Sequence, residues 1–199
     1  MKRIIVALLV SVCSFSALAQ ESNESFFAKS QKFDTDGTEI YSSNRELKRH
    51  KKFGSAIQMG GASGVLGINA ELNLDSIATL VVGMGTGPRY GTFNIQGKYN
   101  FEALYLSPFV KAGYSRWFNA GVVNSTPTNS DILRQIYSEK DLRAGKFDAN
   151  FAVASIGAEY NQLEGELSGV NFYGEVTMMV EVQKVKLLPA GAIGLIYFY

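Results

Sequence analysis

The sequence predicts an all-β fold: a closed antiparallel transmembrane β-barrel of about eight strands, with one long outer loop that has room for a short helix. Three observations carry this expectation. The last nine residues, Gly191-Ala-Ile-Gly-Leu-Ile-Tyr-Phe-Tyr199, put Gly191, Ile193, Leu195, Tyr197 and Tyr199 on one face of a strand, because strand side chains alternate with period 2. From residue 54 onward, segments of about ten residues alternate apolar with polar, the pattern of membrane-crossing strands. No window of 18 apolar residues follows position 19, so no transmembrane helix is expected. Chain ends usually fray. An apolar terminal strand is useful to a barrel whose last strand pairs with its first.

Residues 1–19 read as a secretory signal peptide. Lys2 and Arg3 form its basic start, residues 4–12 its apolar stretch, and Ala17-Leu18-Ala19 its small-x-small cleavage site. The apolar stretch is too short to span a bilayer as a helix. Cys13 raises the alternative of a lipidated cysteine, but Val12 precedes it where such sites want Gly, Ala or Ser. Cleavage after Ala19 leaves 180 of the 199 residues, a single-domain length, and discards the only Cys, so no disulfide is expected. It also removes two basic residues, which turns the net charge of +1 into −1. That balance implies no nucleic-acid partner.

Residues 20–53 are polar and carry no sustained strand pattern. They contain a basic run, Arg45, Lys48, Arg49, His50, Lys51 and Lys52. The plain reading is a solvated leader with a short helix near 43–52. The sharper one is a periplasmic segment whose charges face lipid phosphates or cell-wall polymers. Asp34-Thr-Asp36-Gly37 is not an EF-hand loop, since Glu39 and Arg45 stand where Gly and Glu are required.

The barrel is expected over 54–199, with strands near 54–61, 64–74, 77–86, 91–101, 104–118, 147–161, 170–183 and 187–199. Leu66, Ile68, Ala70, Leu72 and Leu74 alternate with Gly67, Asn69, Glu71 and Asn73. Phe93, Ile95, Gly97, Tyr99 and Phe101 alternate with Asn94, Gln96, Lys98 and Asn100. Phe172, Gly174, Val176, Met178, Val180 and Val182 alternate with Tyr173, Glu175, Thr177, Met179, Glu181 and Gln183. Residues 77–86 are apolar on both faces, so pattern alone does not orient them. An even strand count puts both termini at one mouth. Of the connections at the other mouth, near 62–63, 87–90, 119–146 and 184–186, only the third is long. Within it Asn129 or Ser130 can cap a helix with Ile132, Leu133, Ile136 and Tyr137 on its apolar side, ended by Gly145. Such a helix either lids the barrel or offers a surface to an extracellular ligand.

Alternation does not say which face points inward. A soluble lipocalin-type barrel would enclose Phe93, Ile95, Tyr99 and Phe101 around a ligand. The terminal strand favours the membrane orientation. So does the polar face, which mixes Gly, Ser and Asn with isolated charges where a soluble surface carries dense Lys and Glu. With the apolar face in lipid, the lumen receives Glu71, Lys98, Lys111, Glu159, Glu175 and Glu181. Eight strands leave an interior that side chains fill, and buried charges must pair or neutralise. A cross-lumen Lys–Glu network that plugs the barrel is therefore expected.

These features resemble the bacterial outer-membrane β-barrels, and within them the small eight-stranded ones typified by the OmpA transmembrane domain, OmpX and the opacity-type adhesins. Leu106-Ser-Pro-Phe-Val-Lys-Ala-Gly-Tyr114 and Ala152-Val-Ala-Ser-Ile-Gly-Ala-Glu-Tyr160 have the texture of their strands. The resemblance is one of pattern over 54–199, with no subfamily motif. It implies residence in the outer membrane of a Gram-negative bacterium, contact with outer-membrane lipid, and periplasmic termini. It also implies that barrel assembly machinery reads Ile193, Leu195, Tyr197 and Tyr199. OmpA carries a peptidoglycan-binding domain after its barrel; here the sequence stops with the barrel, so that role is not expected. Outer-membrane enzymes of this architecture rely on a His near the outer rim as general base. The single His50 lies in the leader. No enzyme, cofactor or metal site is expected, since no carboxylate cluster has ligand spacing. The expected function is a structural or surface-interaction barrel that presents the loop near 119–146. The alternative is a narrow OmpW-like channel for small or hydrophobic solutes, and more distantly a soluble periplasmic lipocalin-like carrier.

Overall fold

The computed structural model describes residues 32–33, 37, 39–120 and 130–199. The expected signal peptide with Cys13, most of residues 20–38 and the loop tip at 121–129 lie outside them. Two short strands, β1 (Lys32–Phe33) and β2 (Glu39–Ile40), pair with each other and lead into α1 (Asn44–His50). The barrel strands follow: β3 (Phe53–Gly60), β4 (Leu66–Asn73), β5 (Ala78–Gly87), β6 (Tyr90–Asn100) and β7 (Leu106–Asn119). Two helices, α2 (Asp131–Ile136) and α3 (Glu139–Arg143), precede β8 (Asp148–Asn161), β9 (Val170–Glu181) and β10 (Lys186–Phe198).

Strands β3 to β10 form a closed antiparallel barrel of eight, sealed where β10 pairs with β3 through Ile193 with Met59 and Leu195 with Ile57. Each lies within a few residues of its expected position. Period-2 alternation fixes strand register to a face, and a slip by one residue would expose every core side chain. At the mouth that carries the barrel's termini, strands are joined through 74–77, 101–105 and 162–169. The opposite mouth carries 61–65, 88–89, 120–147 and 182–185.

The apolar alternation set faces outward. Ile57, Ile68, Met84, Ile95, Ile156, Val176, Ile193 and Leu187 are exposed on the barrel wall, while Asn69, Asn94, Lys98, Ser155 and Thr177 are buried inside. A lipocalin-type carrier needs the reverse. Residues 77–86 acquire an orientation from their pairing: Thr79 and Val81 point in, and Met84 points out. Aromatic pairs ring the terminal mouth, Tyr99 with Phe101, Tyr105 with Tyr160, and Tyr197 with Tyr199.

A 3₁₀ turn, Gly61–Ser63, folds into the opposite mouth, with Ala62 and Ser63 buried. Glycines on the neighbouring strands make room for it. A Cβ on Gly85 would collide with the Ser63 carbonyl oxygen, and one on Gly67 would sit 2.5 Å from Ser63 Cβ.

Candidate functional site

The lumen is filled by three tiers of side chains, charged, neutral and apolar, above a helix at one mouth. At the terminal mouth sits α1. Ser43 caps it, its hydroxyl accepting from the Glu46 amide, and the helix turns Leu47 and Lys48 into the barrel. Asn44 anchors it: its amide donates to the Phe101 carbonyl at 2.8 Å, and its carbonyl accepts from the Ala103 amide at 3.0 Å. Arg45 pairs with Glu102 at 3.0 Å on the rim. The sequence predicts this helix near 43–52. Its setting differs from the solvated leader that composition suggests, because Leu47 and Lys48 lose all contact with solvent. A seven-residue helix gains little stability alone; packing an apolar residue and a cation into a waiting cavity is what holds it.

Above α1 lies the charge tier. Lys48 Nζ donates to Asn100 Oδ1 at 2.6 Å and pairs with Glu159 Oε1 at 3.1 Å and Oε2 at 3.3 Å. Lys98 Nζ pairs with Glu71 at 3.1 Å and shares Glu159 with Lys48. Asn171 donates to Glu159 Oε1 at 2.6 Å. Lys111 pairs with Glu175. Lys98 and Lys111 face each other directly across β6 and β7. Like charges so placed repel. Here they turn toward different acids, and the Phe109 and Tyr173 rings lie beside both ammonium groups. Lys98 Nζ is 4.8 Å from the Phe109 centroid, and Lys111 Nζ is 5.3 Å from that of Tyr173. An aromatic face attracts a desolvated cation electrostatically.

Five of the six lumenal charges expected from sequence thus lie in this tier as two groups, Glu71–Lys98–Glu159 and Lys111–Glu175, which share the Phe109 and Tyr173 rings. Glu181 does not join it. It lies at the far end of β9, where its carboxylate accepts from the Lys184 backbone amide. The residue that sequence reasoning misses is Lys48. The signal is arithmetic: the expected lumen holds four acids against two lysines, and a buried set that unbalanced needs another cation.

Between this tier and the far mouth runs a neutral hydrogen-bond chain. Tyr173 donates to Gln58, Asn69 to Gln58, and Asn94 to Ser63. The far mouth is closed by an apolar cap. Trp117, Phe151, Met179 and Leu188 point inward from β7, β8, β9 and β10, and Leu133, Ile136 and Leu142 from α2 and α3 pack on them. Ser130 caps α2 as expected, but the loop folds two helices where the sequence predicts one. Gly145 follows α3 with φ +67. Lys184 and Lys186 fasten α2 by donating to the Ile136 and Gln135 carbonyls.

Outside the barrel, Tyr41 and Lys51 both bind Glu39, at 2.7 and 3.0 Å, and Ser168 adds a longer bond. Burial pushes the Glu39 carboxyl up, but the Tyr41 and Lys51 contacts outweigh it and hold it below the usual carboxylate range. His50 stands on α1 beside the Tyr41 ring. Among the described residues, no group of three His, Cys, Asp or Glu is placed to hold a metal ion, and no helix is long and apolar enough to cross a membrane. The C-terminal face expected to be read in assembly, Ile193, Leu195, Tyr197 and Tyr199, lies on the outer wall.

No protein-family model matches this sequence, and neither does any curated protein. Among solved structures, the crystal structure of the N-terminal β-barrel domain of Pseudomonas aeruginosa OprF is similar to this chain. The alignment covers 73% of this chain and 96% of that domain, with a TM-score of 0.51 and 13% identity. At that identity the likeness is one of fold.

Proposed function

We propose that this protein is a non-enzymatic outer-membrane barrel that anchors in lipid, keeps a filled lumen, and presents the loop near 119–146 at the cell surface. One observation carries the reading: the polar set of the alternation is packed inside and closed at both mouths, while the apolar set covers the outside. A wall of this kind belongs in hydrocarbon, and the aromatic ring at the terminal mouth suits a membrane interface. The OprF barrel domain gives the same architecture a counterpart from a Gram-negative organism. In this orientation the terminal mouth is periplasmic, α1 is its plug, and α2 and α3 cap the outer mouth. Barrel assembly machinery reads the C-terminal strand, and the signal peptide directs export. The single His50 sits at the periplasmic mouth, remote from an outer-rim reaction centre.

The plugged reading is favoured over an OmpW-like channel because three side-chain tiers stand in the path. Planar-bilayer conductance of the refolded protein tests it. Silence is expected. Large, stable conductance steps would replace the plugged anchor with an ion-conducting barrel. Silence with measurable uptake of a small apolar solute would instead support the OmpW-like route.

A further inference from the structure

We infer that the pocket formed by Glu159, Asn100 and Phe198 is an ammonium-binding site, filled by Lys48 while α1 is docked and open to a free primary amine when α1 withdraws. The inference rests on the filled-lumen reading of the barrel and adds a ligand class to it.

In the central tier the barrel strands themselves supply three acids, Glu71, Glu159 and Glu175, and two lysines, Lys98 and Lys111. The third cation comes from outside the barrel, on α1. With α1 withdrawn, the tier is one positive charge short, and Glu159 keeps Lys98 alone. A buried carboxylate in that position attracts a replacement cation.

Geometry selects the kind of cation. An ammonium has three donors and no acceptor. The pocket offers Asn100 Oδ1 at 2.6 Å, Glu159 Oε1 at 3.1 Å and Glu159 Oε2 at 3.3 Å from Lys48 Nζ, with the Phe198 ring 5.5 Å away. Three oxygens and an aromatic face suit a primary ammonium. A calcium ion takes six to eight oxygens, and a guanidinium has five N–H groups to satisfy. The pocket walls are held without α1: Asn171 donates to Glu159, and Asn100 donates to Thr79 at 3.0 Å. The site therefore survives loss of its occupant.

Besides Leu47 and Lys48, α1 is held by the Asn44 bonds to 101–103 and by the partly exposed Arg45–Glu102 pair. Just past its end, Lys51 binds Glu39 and the Ser168 carbonyl, and its own carbonyl accepts from Asn73, so withdrawal breaks these contacts as well.

The test is refolding of the full chain into detergent micelles, with folded fraction read by unboiled gel mobility. Lys48→Ala removes three carbons and the ammonium, which propylammonium replaces. The folded-to-unfolded ratio of Lys48→Ala should fall below wild type and rise with propylammonium, by about tenfold at ten times its dissociation constant. Tetramethylammonium, which has no N–H, and sodium at equal ionic strength should do nothing. Wild type should not respond. Lys48→Met, which fills the space without the charge, should not respond either, and Glu159→Gln added to Lys48→Ala should abolish the effect. If Lys48→Ala folds only with propylammonium, the inference holds in its strongest form. If it ignores propylammonium, folded or not, or if wild type responds equally, the ammonium site is refuted. Neither outcome bears on bilayer conductance or membrane location, so the barrel's proposed role stands or falls separately.

Discussion

Lys48 Nζ lies 3.1 Å from Glu159 Oε1 across 111 residues of sequence, and both side chains are sealed from solvent. One comes from a helix before the barrel, the other from β8. This pair joins the leader to the lumen, and it converts an apparent excess of buried acid into a balanced tier. It gives one residue of the basic run ahead of the first barrel strand a place in the lumen.

The lumenal lysines should be indispensable as a set. Lys98→Met with Lys111→Met leaves Glu71, Glu159 and Glu175 with Lys48 alone. Removing one partner of a buried ion pair costs about 3–5 kcal/mol, so the double variant should refold poorly in a urea titration at neutral pH. Refolding of the double variant as complete as that of wild type would contradict the network.

The outer wall should reject charge. Ile95 and Val176 are exposed on it, and Arg at either site should cost about 2–4 kcal/mol if it meets mid-membrane lipid. The measurement is refolding into lipid vesicles. Unchanged stability of both Ile95→Arg and Val176→Arg would mean that the wall does not face hydrocarbon.

The cap should be separable from the barrel. Leu133 on α2 is fully buried against the lumenal cap residues, and Leu133→Ala should cost about 2–5 kcal/mol by cavity formation. Because the cap is one end of the structure, its local loosening should appear as faster proteolysis within 130–147 with the barrel intact. Equal protection of variant and wild type would show that α2 carries no such load.

The leader strap should loosen in acid. Glu39 is held below the usual carboxylate range by Tyr41 and Lys51 against the effect of burial. A group depressed in the folded state adds stability that is present above its unfolded pKa and lost as pH falls through the folded one. The protection factor of the Tyr41 amide, which is bonded to the Leu163 carbonyl at 2.9 Å, should therefore fall on acidification. Glu39→Gln should flatten that dependence; a steep dependence surviving in the variant would assign it to another group.

The barrel is legible in the sequence because period 2 is a strong signal that recurs along most of the eight strands. The same alternation carries Glu71, Lys98, Lys111, Glu159 and Glu175 into the lumen once the apolar face is turned to lipid. Lys48 is not legible as a plug. A lysine within Arg45-Glu-Leu-Lys-Arg-His50 looks like any solvated helical residue, and only the surplus of lumenal acids points elsewhere. The far cap is hidden for a related reason. Phe151, Met179 and Leu188 sit on the lumenal face, where the pattern leads one to expect polar groups, because α2 and α3 supply them with an apolar partner. Two-sided β5 takes its orientation from its neighbours' registers, which no local pattern contains.

If the barrel resides in a bilayer with its apolar set in lipid, cell fractionation joined to unboiled gel mobility should recover it in the outer-membrane fraction, soluble only with detergent and with a mobility that shifts on boiling. Recovery of the folded protein at normal yield from soluble periplasm, without detergent, would contradict that placement.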